Sequence, residues 1–279
     1  MTSLLLWWFV RIRKRDIIEM MEQLEYIQEE LNHHDFQKAL KTSKAAVVFT
    51  LLVLCLQPFV LSLRYLMYQG ESLTCSLIHN PSGITVQSIL VILLHEFASI
   101  YINTSITYAV ALFYSLYCHI FSLCLKERDR SVLQTFHLYQ HVLKFFKQVE
   151  KVMSALIFLT IAHFLVSLFK DMIVLISVAQ NGRGTMLFSY GVDLLVCGAL
   201  ITIVVLSAES VQLRANSLRL FLSEYVPYDL KISCARIMED RDRLKLTGWG
   251  TFTIKKPLIL TLVAWLISYG VIILQFTSI

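Results

Sequence analysis

Long apolar runs alternate with short charged segments along the chain. The last run, 257–279, contains no charged residue and is about as long as a helix that crosses a bilayer. Four more runs of spanning length precede it, and a shorter apolar stretch stands at the amino terminus. The predicted segments are a partial transmembrane helix at 1–10, a cytosolic loop with an amphipathic helix at 11–44, transmembrane helices at 45–69, 84–125, 131–179, 185–225 and 257–277, and a cytosolic anchor helix at 228–246.

Three of these segments are too long for a single bilayer crossing. As one helix, 84–125 would extend roughly 60 Å, about twice the thickness of the hydrocarbon core. The segments 131–179 and 185–225 also continue as helices with charged residues interleaved among apolar ones. We expect these extensions to form a cytosolic helical bundle, with amphipathic helices folded back onto the membrane as the alternative.

The final helix carries a polar stripe on an otherwise apolar surface. Thr261, Ser268 and Gln275 recur every seven residues and therefore lie on one face. Unsatisfied polar groups are costly in hydrocarbon, so the stripe needs a neighbour other than lipid. That neighbour is either another helix or water, and the spacing alone does not choose between them.

Composition places the chain in one broad class. It is 56% hydrophobic and 16% charged, whereas a globular domain is about a quarter charged. The predicted fold is all-α, a polytopic transmembrane helical bundle with cytosolic helical extensions. The net charge of +5 is too modest for a nucleic-acid partner. The six cysteines are scattered without metal-ligand spacing, and no catalytic motif occurs, so we expect no metal, no cofactor and no enzyme.

The positive charges predict the orientation in the membrane. The segments 1–44, 119–151 and 208–256 hold 7, 6 and 9 of the 25 lysines and arginines. Lysine and arginine concentrate in cytoplasmic loops, so these three segments are predicted to be cytoplasmic. The carboxyl terminus is then extracellular, which is inverted relative to G-protein-coupled receptors.

Ionisable and aromatic residues in the outer half of the predicted spans are candidate ligand contacts. Charged groups inside a membrane are expensive and are usually paired or functional. Structural ion pairs, such as Arg64 with Glu96, are the alternative interpretation. The candidates are Tyr65, Tyr68, His95, Glu96, Tyr101, Lys170 and Tyr190, with Asp171 and Asp193 beside the last two.

The last helix ends in Ser268-Tyr269, five residues, then Gln275-Phe276. In spacing, this resembles the signature of the insect gustatory receptor family, Thr-Tyr, five apolar residues and Gln-Phe, with Ser replacing Thr. Members of this family of insect chemoreceptors usually have seven spans, so the resemblance implies that the first helix and most of the second precede this sequence. Gly270 stands where sugar-responsive members often carry an acidic residue, which does not favour a sugar receptor.

The resemblance implies a chemosensory, ligand-gated, non-selective cation channel in the plasma membrane of sensory dendrites. Four subunits, identical or mixed, would surround a pore lined by Ser268, Ile272 and Gln275 of each last helix. A ring of isoleucines can gate by dewetting, and a ring of glutamine amides can contact passing ions. The implied partners are a small-molecule tastant, membrane lipid and other subunits. A secondary transporter and a metabotropic chemoreceptor are the alternatives.

Overall fold

The computed structural model describes residues 2–30, 105–123, 125, 132–180, 184–225 and 245–277. In chain order the elements are α1 Thr2–Ile12, α2 Lys14–Glu30, α3 Ser105–Leu123, α4 Val132–Gln180, α5 Gly184–Tyr225, β1 Thr247–Gly248, β2 Phe252–Thr253 and α6 Lys256–Thr277. By length and composition, α3, α4, α5 and α6 can cross a membrane. The predicted span 45–69, the first half of 84–125 and nearly all of the predicted anchor 228–246 lie outside the described residues.

The long helices α4 and α5 form the centre of the bundle. They contain 49 and 42 residues, which corresponds to lengths of about 74 and 63 Å. Both lengths exceed the roughly 30 Å hydrocarbon core of a bilayer. Their bounds lie within one residue of the helices predicted over 131–179 and 185–225. The three-residue connection between them favours an antiparallel pair.

A continuous, mostly apolar seam joins α4 and α5 because buried positions recur at intervals of three or four residues. On α4 these positions are Tyr139, Val142, Phe146, Val149, Met153, Leu156, Thr160, Phe164, Leu168 and Asp171. On α5 they are Cys197, Ile201, Val204, Ala208, Val211, Ala215, Leu218 and Leu222. This spacing places one stripe of each helix against its neighbour, as in coiled-coil packing.

Parallel aromatic rings fasten α3 to α4. The ring centroids of Phe121 and Phe145 are 3.5 Å apart with planes 4° from parallel. Tyr117 stacks on Phe145 at 5.2 Å, and Phe113 stacks on Tyr117 at 6.1 Å. Stacked aromatic pairs add to the free energy gained by burying their area. The aromatic stack therefore holds α3 against the amino-terminal half of α4.

The amino-terminal helices pack along this part of the bundle. The amide of Arg13 donates to the carbonyl of Phe9, and the amide of Ile17 donates to the carbonyl of Arg13, both at 2.9 Å. These bonds keep α1 and α2 nearly continuous. The Tyr117 hydroxyl donates to the carbonyl of Met20 at 2.7 Å, and the Met20 side chain is buried. The inner face of α2 thus contacts the protein's own helices.

Candidate functional site: the last helix and the buried polar cluster

The last helix, α6, touches the bundle along one narrow face. Along this face Leu258 is half-buried, Leu262 is buried, Leu266 is half-buried and Gly270 is buried. These positions recur every four residues and so form one stripe. A Cβ atom added to Gly270 would lie 3.2 Å from the Met172 sulfur, so the α6 backbone at Gly270 packs directly against the Met172 side chain of α4.

The polar stripe lies on the opposite side of α6 from this contact face. Each residue of an α-helix turns by about 100°, so Gln275 points about 180° away from Leu266. By the same arithmetic Ser268 points about 160° away and Ile272 about 120° away. All three side chains are exposed. The face that contains Ser268 and Gln275 is therefore turned outward from the bundle formed by α3, α4 and α5.

Two further residues of the carboxyl-terminal motif occupy different environments. The Tyr269 ring meets the Phe169 ring of α4 edge-on, with centroids 5.3 Å apart. Phe276 is 77% exposed in the single chain. Of the two, Tyr269 therefore packs against a neighbouring helix of the same chain. The Thr261 hydroxyl donates to the carbonyl of Pro257 at 3.0 Å, so its hydrogen bond stays within α6.

A β-hairpin immediately precedes α6. Thr247 pairs with Thr253 and Gly248 with Phe252 in antiparallel register. Trp249 and Gly250 both have positive φ, at 49° and 69°. No element was predicted between the anchor helix at 228–246 and the last span at 257–277, so the hairpin was missed. The available signal was the alternation of threonine, aromatic residues and glycine from 247 to 253, which is typical of a tight hairpin.

The hairpin is hydrogen-bonded to one face of α4. The Glu150 carboxylate accepts from the Thr247 amide at 2.9 Å and from the Thr247 hydroxyl. The Trp249 amide donates to the Ser154 hydroxyl at 2.7 Å and to the Ser154 carbonyl at 3.2 Å. Glu150 and Ser154 are four residues apart and so lie on the same side of α4. Two consecutive helical turns thus fix the position of the hairpin.

The helix α5 holds the other end of the hairpin. The Gln212 amide nitrogen donates to the carbonyl of Ile254 at 2.9 Å. The Lys256 ammonium lies 3.8 Å from a carboxylate oxygen of Glu209. Ile254 is itself buried. The first residues of α6 are therefore attached to both long helices of the bundle.

A cluster of ionisable residues surrounds Asp171 of α4. Asp171 is completely buried and stands at a seam position where apolar residues otherwise occur. The Lys170 ammonium lies 3.6 Å from an Asp171 carboxylate oxygen, while the Lys170 side chain is 63% exposed. A buried carboxylate is costly unless it is paired, so the Lys170 ammonium offsets part of the cost of burying Asp171.

Helices α3 and α5 also contribute to this polar cluster. Lys170, Asp171 and Asp193 all lie close enough to Cys197 to interact with it electrostatically. The Tyr108 hydroxyl is 3.6 Å from the Cys197 sulfur, and both residues are buried. Sequence reasoning missed Tyr108 and Cys197, because neither an uncharged cysteine nor a tyrosine on an apolar helix stands out before the helices are brought together.

The structure places the predicted ligand contacts unevenly. Lys170 belongs to the polar cluster, and Tyr190 is half-buried on α5. Five candidates lie outside the described residues, namely Tyr65, Tyr68, His95, Glu96 and Tyr101. The pair suggested for Arg64 and Glu96 lies outside them as well.

One short segment of α4 connects the cluster with α6. Phe169 contacts Tyr269, and Met172 lies against Gly270. Asp171, between them in sequence, lies on the seam that faces α5. A displacement of this turn of α4 would therefore change contacts both in the polar cluster and along the contact face of α6.

Comparison with known proteins defines the fold. No protein-family model and no curated protein matches the chain. The structure is similar to that of the insect olfactory receptor OR5 from Machilis hrabei, with a TM-score of 0.63 and 16% identity. The match covers 99% of this chain and 78% of that receptor. The fold is that of an insect olfactory receptor. The predicted all-α, polytopic membrane bundle is thus confirmed, whereas the narrower gustatory assignment is not decided by this likeness.

Proposed function

We propose that the chain is a subunit of a ligand-gated cation channel of the insect chemoreceptor type, with α6 lining the pore. The orientation of α6 is the observation that carries this proposal. Its contact face is apolar and buries Leu262, whereas the face with Ser268 and Gln275 is exposed on the opposite side. The olfactory-receptor fold supports the same class of protein.

The outward stripe requires a symmetric assembly. Polar groups facing hydrocarbon are costly, and one stripe from one chain cannot enclose water. Four copies that turn their stripes toward a common axis satisfy both conditions, and the gustatory resemblance implies this number. In that arrangement Gln275 amides contact hydrated cations and Ile272 side chains form an apolar constriction. Mixed subunits with equivalent stripes would serve equally well.

The ligand of this channel is a small molecule bound near the polar cluster. Ligand sites are mostly apolar with a few convergent polar groups, and Lys170, Asp171, Tyr108 and Cys197 provide such groups among apolar neighbours. Binding there would act on α6 through Phe169 and Met172 of α4. The carboxyl-terminal motif favours a taste receptor over an odorant receptor, in the plasma membrane of a sensory neuron.

Cysteine accessibility tests the pore assignment. Ser268→Cys and Gln275→Cys should react with a charged, water-soluble thiol reagent applied to intact cells. Ile267→Cys and Leu274→Cys are matched controls, because both residues are exposed in the single chain but lie off the stripe, where lipid or a neighbouring subunit covers them. Equal reaction rates at the stripe and at the controls would contradict a water-filled pore along α6.

Electrical recording distinguishes the channel from the other two classes of protein. A Gln275→Glu exchange should raise cation permeability relative to anions, whereas Leu274→Glu should not. Currents should persist in cells that lack G-protein signalling, which a metabotropic receptor would not produce. A tag fused after Ile279 should bind antibody on intact cells if the carboxyl terminus is extracellular. A tag that binds antibody only after the cells are permeabilised would refute the predicted orientation.

A further inference from the structure

The segment formed by α1 and α2 has one face that contacts the bundle and one that does not. Its inward positions are buried or half-buried, recur every three or four residues, and are Leu6, Val10, Arg13, Ile17 and Met20. Its outward positions are exposed and include Trp7, Trp8, Arg11, Lys14 and Arg15. We propose that this outward face binds the headgroup of an anionic phospholipid, with the two tryptophans at the edge of the hydrocarbon.

The four basic residues from 11 to 15 are not equivalent. Arg13 faces inward, where its guanidinium donates to the Asp16 carboxylate at 3.0 Å. Within the described part of the chain, Arg11, Lys14 and Arg15 make no ion pair. The Arg11 guanidinium lies over the Trp7 ring, 5.2 Å from its centroid. Three positive charges therefore face outward with no carboxylate of the described residues paired to them, and this charge is complementary to that of an anionic headgroup.

The axial distances from Trp8 to the basic residues are similar to the thickness of a headgroup layer. Tryptophan prefers the membrane interface, which places Trp8 at the hydrocarbon boundary. At 1.5 Å per residue, Arg11 lies about 5 Å beyond Trp8, and Lys14 about 9 Å beyond it. The polar layer of one leaflet is about 5 to 8 Å thick, and lysine and arginine side chains are long enough to reach it from either side.

The acidic residues of α2 do not oppose this binding, because Asp16 is paired with Arg13 and Lys151 and the others lie farther from the membrane. Glu19 and Glu22 are exposed, but they come about 6 and 10 Å after Arg15 along the axis. At that depth they lie in water beyond the headgroups. The basic residues at 11–15 thus favour binding of an anionic lipid. The acidic residues that follow disfavour contact between the rest of α2 and an anionic bilayer.

Native mass spectrometry of the full chain, released from nanodiscs of phosphatidylcholine with phosphatidylserine, tests this site. A basic residue near a membrane surface strengthens binding of anionic lipid about fivefold, so the triple exchange Arg11→Gln, Lys14→Gln and Arg15→Gln should weaken phosphatidylserine binding roughly 100-fold. The matched control Arg13→Gln should retain wild-type binding. Equal losses in the two variants, or no loss in the triple variant, would overturn the proposal.

Two further experiments test whether the molecule bound at this site is a lipid. The exchange of Arg11 and Arg15 to lysine keeps the charge and should retain phosphatidylserine, and a loss of binding there would contradict an electrostatic site. Glycerophosphoserine has the same headgroup without acyl chains and should not displace the lipid. Displacement at comparable concentration would mean a soluble phosphate site and would refute a membrane-bound occupant.

Discussion

The contact between Glu150 and Thr247 gives the sharpest prediction, because one carboxylate fixes the hairpin that leads into α6. Glu150→Ala removes the acceptor of the Thr247 amide, at 2.9 Å, and of the Thr247 hydroxyl. Hydrogen bonds to a charged group contribute about 1.5 to 3 kcal/mol each. Because Glu150 is half-buried and water can replace part of this bonding, we expect a total cost of about 2 to 3 kcal/mol, at or below the low end of the range for two such bonds.

Hydrogen exchange of the hairpin amides measures this cost directly. A loss of about 2 kcal/mol corresponds to a roughly 30-fold faster exchange of the Thr247 amide, if exchange proceeds by local opening. Glu150→Gln should cost about half as much, since an amide keeps one acceptor oxygen but places a donor at the other position. Exchange in the middle of α4, around Ile157, should not change in either variant.

A matched exchange one turn along α4 provides the control. Ser154→Ala removes the 2.7 Å bond to the Trp249 amide but keeps the backbone carbonyl that accepts from the same amide at 3.2 Å. We expect it to accelerate exchange at Trp249 by less than tenfold and to leave Thr247 protected. Unchanged protection of Thr247 in Glu150→Ala would refute the conclusion that the carboxylate holds the hairpin.

Two further predictions concern the packing of the other helices on α4. The Arg13 hydrogen bond, together with the Lys151 ammonium 3.6 Å away, holds the pKa of Asp16 below its usual value of 3.8. The stabilising effect is complete above that value and is lost as the pH falls through the lowered folded pKa, so α2 amides should lose protection in acid, and Asp16→Asn should abolish this pH dependence. Phe145→Ala removes a buried ring stacked at 3.5 Å on Phe121 and should cost about 3 to 5 kcal/mol, measured by thermal denaturation in detergent; a loss below 1 kcal/mol would contradict the role of the aromatic stack.

The sequence by itself determined the features that depend on local periodicity. Helix bounds at α4, α5 and α6 follow from uninterrupted apolar spacing and from the breaks at 181–183 and around Gly248 and Gly250, and they agree with the structure to within one residue where a helix was predicted. The seven-residue recurrence of Ser268 and Gln275 likewise defined a stripe before any contact was known. Composition was sufficient for the all-α membrane class.

The hairpin illustrates a limit of such reasoning. A two-residue strand contains too few positions to show an alternating pattern, and its bonds to Glu150, Ser154 and Gln212 join residues far apart in sequence. The polar cluster has the same origin. Asp171 was visible as a charge in a span, but Tyr108 and Cys197 acquire their significance only when α3, α4 and α5 meet.

Tertiary structure alone decided which way the last helix faces. Helical periodicity fixes the angle between two residues of α6, but it does not fix the rotation of the whole helix about its axis. That rotation follows from the burial of Leu262 in the core and from the contact of Gly270 with the Met172 side chain, whose sulfur would lie only 3.2 Å from a Cβ atom added to Gly270. Those contacts turn Ser268 and Gln275 outward, and the polar stripe found in the sequence thereby becomes a candidate pore surface.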